Sequence, residues 1–89
     1  MALQIIGAGP DPEEVAGQIK ASIEREIPGA TVEVGIGSAG HYEVRVVSDT
    51  FEGRSRVQQQ QSVYKAITHL MQGKNPAVHA IDRMECIVP

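Results

Sequence analysis

The spacing of the apolar residues changes abruptly near residue 30, and this change limits the folds open to the chain. Upstream, branched side chains recur every four residues at Val15, Ile19, Ile23 and Ile27, which is the period of a helix with one buried stripe. Downstream, apolar and polar residues alternate, which is the period of a strand with one buried face. A one-sided helix followed by one-sided strands predicts a helix packed against a sheet.

Capping and turn residues set the limits of the first three elements. Asp11 and Pro12 are typical of a helix start, with Glu14 placed to reach back to the cap, and Pro28-Gly29 is typical of a helix end. Two strands follow, joined by the glycine-rich loop 37–40, and they are predicted to form an antiparallel hairpin. The strand residues predicted to face the core are Ala30, Val32, Val34, Ile36, Tyr42, Val44 and Val46.

A second helix is predicted from Ser55 to about Gln72. Ser55 and Gln58 have the spacing of a capping box, and Gly73 has the position of a helix-terminating glycine. Gln60 falls in the middle of the apolar side, where its amide needs either backbone partners near the helix start or a site shared with His79. The apolar side is predicted to contain Val57, Val63, Tyr64, Ile67, Leu70 and Met71.

The last segment, 77–88, predicts a third strand. Its alternation is interrupted at Asp82, Arg83 and Glu85, which indicates an exposed edge or a β-bulge. The intervening helix allows a right-handed crossover and favours parallel pairing with the second strand. The sequence therefore predicts an α+β two-layer sandwich of order α-β-β-α-β, with a three-stranded mixed sheet and both helices on one face. Residues 11–89 are predicted to form one domain, preceded by a loose tail over 1–10.

Composition excludes several classes of protein. A chain of 89 residues is too short for a multidomain enzyme, and no Trp, one Phe and two Tyr are too few aromatic residues for stacking single-stranded nucleic acid. The net charge of −3 is opposite to that of a general nucleic-acid-binding domain. The single cysteine rules out an internal disulfide, and no apolar stretch approaches ~20 residues, so we expect a soluble cytoplasmic protein that does not enter membranes.

The segment 35–40 matches the glycine pattern G-x-G-x-x-G. In dinucleotide-binding proteins this loop leads into a helix whose N-terminal amides hold the pyrophosphate. Here the residues that follow alternate as a strand. The pattern therefore predicts a hairpin loop rather than a nucleotide site.

Few residues are available to hold a metal ion. We expect His69 to be solvated on the polar side of the second helix and Cys86 to lie in the core. His41 and His79 remain, each at the start of a strand, and two ligands do not complete a tetrahedral site. A second protein would have to supply the others.

The sequence gives only weak signals for catalysis and for contact with nucleic acid. None of the serines has a neighbouring base that the sequence can place, so we predict that the chain is not an enzyme. After residue 50, five basic residues outnumber three acidic ones, and this mild basic excess offers a surface for phosphates. The candidates for contact with nucleic acid are Arg54, Arg56 and Lys65.

Three short motifs give the chain a resemblance to the BolA family. They are the S-D-x-F-x-G turn at 48–53, Val63-Tyr64 in the second helix, and His79-Ala80-Ile81 at the start of the third strand. They occur in order and at the right intervals, and the match covers residues 12–88. The resemblance implies a fold similar to class II KH domains, in agreement with the order of elements above.

The resemblance also implies function. BolA-like proteins form complexes with monothiol glutaredoxins that share a [2Fe–2S] cluster, in which the histidine of the H-A-[LI] motif, here His79, is the main ligand. A second Cys or His usually comes from the loop between the first two strands; this chain has Ser38 where short members often carry Cys, so His41 is the nearest candidate. The chain also has Gln60 where the family usually has His, and it lacks the terminal helix of longer members.

The resemblance and the residues together leave three hypotheses. The first is an adaptor in iron–sulfur homeostasis and stress response that contributes His79 to a cluster bridging it to a monothiol glutaredoxin, no cluster being bound by the isolated chain. The second is a DNA-binding transcriptional regulator that uses the second helix and the basic half, although its turn lacks the second glycine of the KH phosphate-clamping loop. The third is a small module that pairs as a weak homodimer through the third strand.

Overall fold

The computed structural model describes residues 10–89, and the predicted tail therefore lies outside the described residues except for Pro10. The helices are α1 (Pro12–Glu26) and α2 (Arg56–Ile67), and the strands are β1 (Thr31–Ile36), β2 (His41–Val47) and β3 (Ala80–Ile87). Single 3₁₀ turns, Asp49–Phe51 and Thr68–Leu70, flank α2. Within residues 10–89, no helix has the length and apolar character needed to cross a lipid bilayer.

The sheet has the order β1-β2-β3, with β1 and β2 antiparallel and β2 and β3 parallel. The helix-containing connection between β2 and β3 explains the parallel pairing, because parallel neighbours need a long crossover. This arrangement confirms the predicted α+β fold and its mixed sheet. β3 lies at one edge of the sheet, as the broken alternation of its sequence predicted.

Helix α1 has the predicted start and buried stripe. The Asp11 carboxylate accepts a hydrogen bond from the Glu13 backbone N–H at 3.0 Å, which satisfies one of the unpaired donors of the first turn. The helix ends at Glu26, and Gly29 follows with φ +87°, a conformation that favours glycine. The four branched residues of the stripe, Val15, Ile19, Ile23 and Ile27, are buried in the core.

The predicted irregularity of β3 is a bulge at Asp82. Tyr42 pairs with Ile81 and Glu43 pairs with Arg83, so Asp82 has no partner on β2. The extra residue is required because Ile81 and Met84, which both pack against the core, are three positions apart, and an uninterrupted strand would point them to opposite faces. The bulge also gives Glu43 an oppositely charged neighbour, Arg83, in place of a second carboxylate.

Helix α2 begins as predicted but differs in its end and in its buried face. Ser55 and Gln58 form both hydrogen bonds of the capping box. The α-helix ends at Ile67, not near Gln72, and the next turn is 3₁₀. There the Thr68 hydroxyl donates to the Tyr64 carbonyl at 2.8 Å, a side-chain bond that competes with regular helix geometry.

The predicted apolar side of α2 is wrong at two positions. Val57 is 60% exposed and Tyr64 is 40% exposed, whereas Val63, Ala66 and Ile67 are buried. The helix is thus rotated so that Gln59, one turn before Val63, begins the inward stripe. Ile36, predicted to face the core from the end of β1, is also exposed.

Candidate functional site

His79 lies at the end of the sheet where the hairpin loop meets β3. Its backbone N–H donates to the Gly40 carbonyl at 2.8 Å, and the N–H of Ala80 donates to the same oxygen at 3.2 Å. The imidazole lies against Gly40, where a Cβ atom would be only 2.7 Å from the ring Cγ. Residue 79 is nevertheless exposed. The backbone is therefore fixed while the ring remains accessible to another molecule.

His41 lies beside the same glycine. It is the first residue of β2 and pairs with Ala80, and its N–H donates to the Ser38 carbonyl at 2.8 Å within the loop. Its Nδ1 atom is 3.0 Å from Oδ1 of Asp82, the bulged residue of β3. The structure thus brings His41 and His79 to one end of the sheet. From the sequence, the two histidines were known only to stand at the starts of two different strands.

The single cysteine, Cys86, lies away from the end of the sheet that contains His41 and His79. Cys86 pairs with Val46 near the far end of β3 and is half-buried against the core, close to its predicted position. Burial raises the pKa of the Cys86 thiol, although Arg56 acts in the opposite direction, so the thiol is protonated at neutral pH. Among residues 10–89 no three His, Cys, Asp or Glu side chains are grouped to hold a metal ion.

Only two of the three basic candidates lie together. Arg54 and Lys65 line one shallow groove on the outer side of α2, together with Gln58, Gln61 and Ser62. Lys65 Nζ is also 3.8 Å from a Glu26 carboxylate oxygen on α1. Arg56 lines a different groove, between α2 and the C-terminal half of β3. The sequence placed all three residues in or beside the second helix and did not show that they line different grooves.

Neither role predicted for Gln60 is found. The amide that bonds to backbone is that of the neighbouring Gln59, whose Nε2 donates to the Phe51 and Arg54 carbonyls at 3.0 and 3.2 Å. Gln60 is half-buried beside the C-terminal half of β3, whereas His79 precedes the other end of that strand. Gln60 and His79 therefore do not share a site.

One contact was missed by sequence reasoning. The hydroxyl of the buried Ser22 on α1 is 3.4 Å from Nε2 of His69, which is exposed as predicted. Two residues 47 positions apart carry no sequence signal for such a pair. In the described part of the chain no carboxylate is hydrogen-bonded to His69, so the pair lacks the third group that orients a catalytic base. The contact joins α1 to the turn after α2.

Comparisons with known proteins point to one family. The family model described as BolA-like protein matches residues 18–86. No curated protein sequence matches significantly. Among solved structures, the BolA domain of SufE1 from Arabidopsis thaliana has a TM-score of 0.72 at 23% identity, over 84% of this chain and 92% of that chain.

Two further structures are more similar in sequence. A bolA protein homologue from Coxiella burnetii is 29% identical, with a TM-score of 0.66 over 80% of this chain and 86% of its own. BolA1 from Mus musculus is 30% identical, with a TM-score of 0.67 over 84% of this chain and 65% of its own. The fold described above is thus similar to those of several BolA proteins.

Proposed function

This chain belongs to the BolA-like family, and we propose that it is a non-enzymatic adaptor that binds a monothiol glutaredoxin and shares a bridging [2Fe–2S] cluster with it. In this role it would take part in iron–sulfur and iron homeostasis and in the response to stress. The observation that carries the proposal is the exposed imidazole of His79, which stands on a hydrogen-bonded backbone at the end of the sheet.

The donor set of the chain fits part of the coordination of such a cluster. Neutral imidazole nitrogen is a suitable iron ligand, and histidine replaces cysteine at one iron of some [2Fe–2S] centres. His79 would be the main ligand and His41 the second, both beside Gly40. Once bound, the cluster would supply one-electron redox chemistry and transferable iron and sulfide. Because this end of the sheet offers only two imidazoles, the thiolates would come from the glutaredoxin.

The test is to reconstitute the complex with iron and sulfide and to record its visible absorption and circular dichroism spectra. We expect His79→Ala to change the spectrum of the bridged cluster and to accelerate cluster loss, because one iron loses its imidazole ligand. His69→Ala is the matched control, since His69 is also exposed but bonds to Ser22 on α1. An unchanged spectrum for His79→Ala would remove the ligand assignment.

A second candidate, binding of DNA for transcriptional regulation, is favoured by the groove that contains Arg54 and Lys65. Two cations that line one groove suit a row of phosphates, because such contacts release counterions. Arg56 would contribute less, since it lines the groove on the other side of the helix start.

For DNA binding we expect Arg54→Ala and Lys65→Ala each to reduce the salt slope of log K by about 1. Arg56→Ala should change it less, and Lys20→Ala on α1 should leave it unchanged. The measurement is fluorescence anisotropy with duplex DNA across a salt series. Absence of binding at low salt would eliminate this candidate.

A further inference from the structure

The contact between His41 and Asp82 suggests a role for the bulge in β3. We propose that Asp82 is a positioning residue that fixes the tautomer of His41, so that its Nε2 atom becomes the second ligand that this chain presents to the bridging cluster. This inference rests on the proposed function and deepens it. It identifies the ligand atom and the group that selects it.

The bulge is what brings the carboxylate to the imidazole. His41 pairs with Ala80 and Glu43 pairs with Arg83, and Asp82 is the extra residue between these pairs. In a regular strand residue 82 would stand opposite Glu43 and residue 83 would take an inward position. The bulge instead leaves Asp82 free of a cross-strand partner, and its Oδ1 reaches Nδ1 of His41 at 3.0 Å.

The chemistry of the pair determines which nitrogen is available. An ionised carboxylate only accepts hydrogen bonds, so a neutral imidazole 3.0 Å away must carry its proton on Nδ1. The lone pair is then on Nε2, the atom that can bind a metal ion. A carboxylate on the far nitrogen also fixes the orientation of the ring, as is usual for histidine ligands.

The surroundings leave the ring accessible and supply no competing thiol. The side chain of His41 is 37% exposed and that of Asp82 is 52% exposed, so a partner can approach the ring without opening the core. The loop 37–40 contains Ser38 and no cysteine. His41 is therefore the one imidazole that this hairpin offers for binding iron.

The first test uses the chain alone. Long-range ¹H–¹⁵N NMR spectra distinguish the two neutral tautomers of the imidazole. We expect the Nδ1–H form for His41 in the wild type and loss of that preference in Asp82→Ala. Asp82→Asn should keep the preference for the Nδ1–H form, because the amide oxygen still accepts a hydrogen bond. An Nε2–H tautomer in the wild type would overturn the proposal.

The second test uses the complex with a monothiol glutaredoxin. We expect Asp82→Ala to accelerate cluster loss about 10-fold or more and to shift the visible circular dichroism in the same way as His41→Ala. Asp82→Asn should remain close to the wild type, and the double variant His41→Ala, Asp82→Ala should add nothing to His41→Ala. An effect of Asp82→Ala that persists in the His41→Ala background would contradict action through His41.

The outcomes separate this inference from the proposed function. If the wild type forms no bridged cluster, the adaptor function fails and His41 has no ligand role, while the NMR result still decides whether Asp82 sets the tautomer. If the cluster forms and responds to His79→Ala but not to His41→Ala or Asp82→Ala, the adaptor function stands and the present inference is wrong.

Discussion

Replacement of Gly40 by alanine should displace the imidazole of His79 and disrupt the candidate site. The added Cβ would lie 2.7 Å from Cγ of the ring and 3.0 Å from both Cδ2 and Nδ1, distances at which the ring must move. Gly40 also has φ +79°, so alanine strains the backbone by about 1–2 kcal/mol. We expect the bridged cluster to be lost or spectrally altered to the same extent as in His79→Ala, measured by visible circular dichroism.

Gly53→Ala is the matched control for this substitution. Gly53 has φ +78°, nearly the same as Gly40, but a Cβ atom there would meet nothing within 4 Å. Both variants should lose a similar free energy of unfolding from backbone strain, and only Gly40→Ala should alter the cluster. If both variants affect the spectrum equally, the effect is one of stability, and the contact between Gly40 and His79 is not what matters.

The elements that sequence reasoning predicted well are those whose signals are local. The four-residue stripe of α1 and the capping box of Ser55 and Gln58 are complete within one segment, and the structure contains both. The hairpin follows from two alternating segments joined by a glycine-rich loop. The alternation of β3, broken at Asp82, Arg83 and Glu85, indicated an exposed edge or a bulge, and the structure contains a bulge at Asp82.

The errors in α2 arose from treating apolar character as the sole guide to burial. Val57 and Tyr64 are apolar at helical spacing, yet the inward stripe begins with a polar residue, Gln59. Its amide donates to the carbonyls of Phe51 and Arg54 and so fills the inward position at the helix start. Such a bond depends on the turn that precedes the helix, and once Gln58 is assigned to the capping box the sequence gives no sign of which glutamine among 59–61 will make it.

Only part of the candidate site was within reach of sequence reasoning. His41 and His79 were identified as strand-start residues, but their approach to Gly40 depends on the register between β2 and β3. The contact between His41 and Asp82 spans 41 positions and requires the location of the bulge to within one residue. Long-range pairing, rather than residue type, therefore set the limit of the prediction.

The largest loss of stability is expected for Phe51→Ala. Phe51 is the only phenylalanine of the chain and is fully buried, at 1% exposure, in the turn between β2 and α2. Deleting a buried aromatic ring removes its transfer free energy and leaves a cavity, at a cost of about 3–5 kcal/mol. Since domains of this size are stable by roughly 5–15 kcal/mol, the substitution should remove a large share of that stability and lower the midpoint of unfolding markedly.

Urea unfolding followed by circular dichroism measures this loss, and two variants control it. Phe51→Leu keeps most of the apolar volume and should cost less than Phe51→Ala. Val57→Ala deletes apolar atoms from a side chain that the structure leaves exposed, so it should change the free energy of unfolding by less than about 0.5 kcal/mol. A large loss in Val57→Ala would mean that α2 presents the face predicted from sequence, because only a buried Val57 leaves a cavity when truncated.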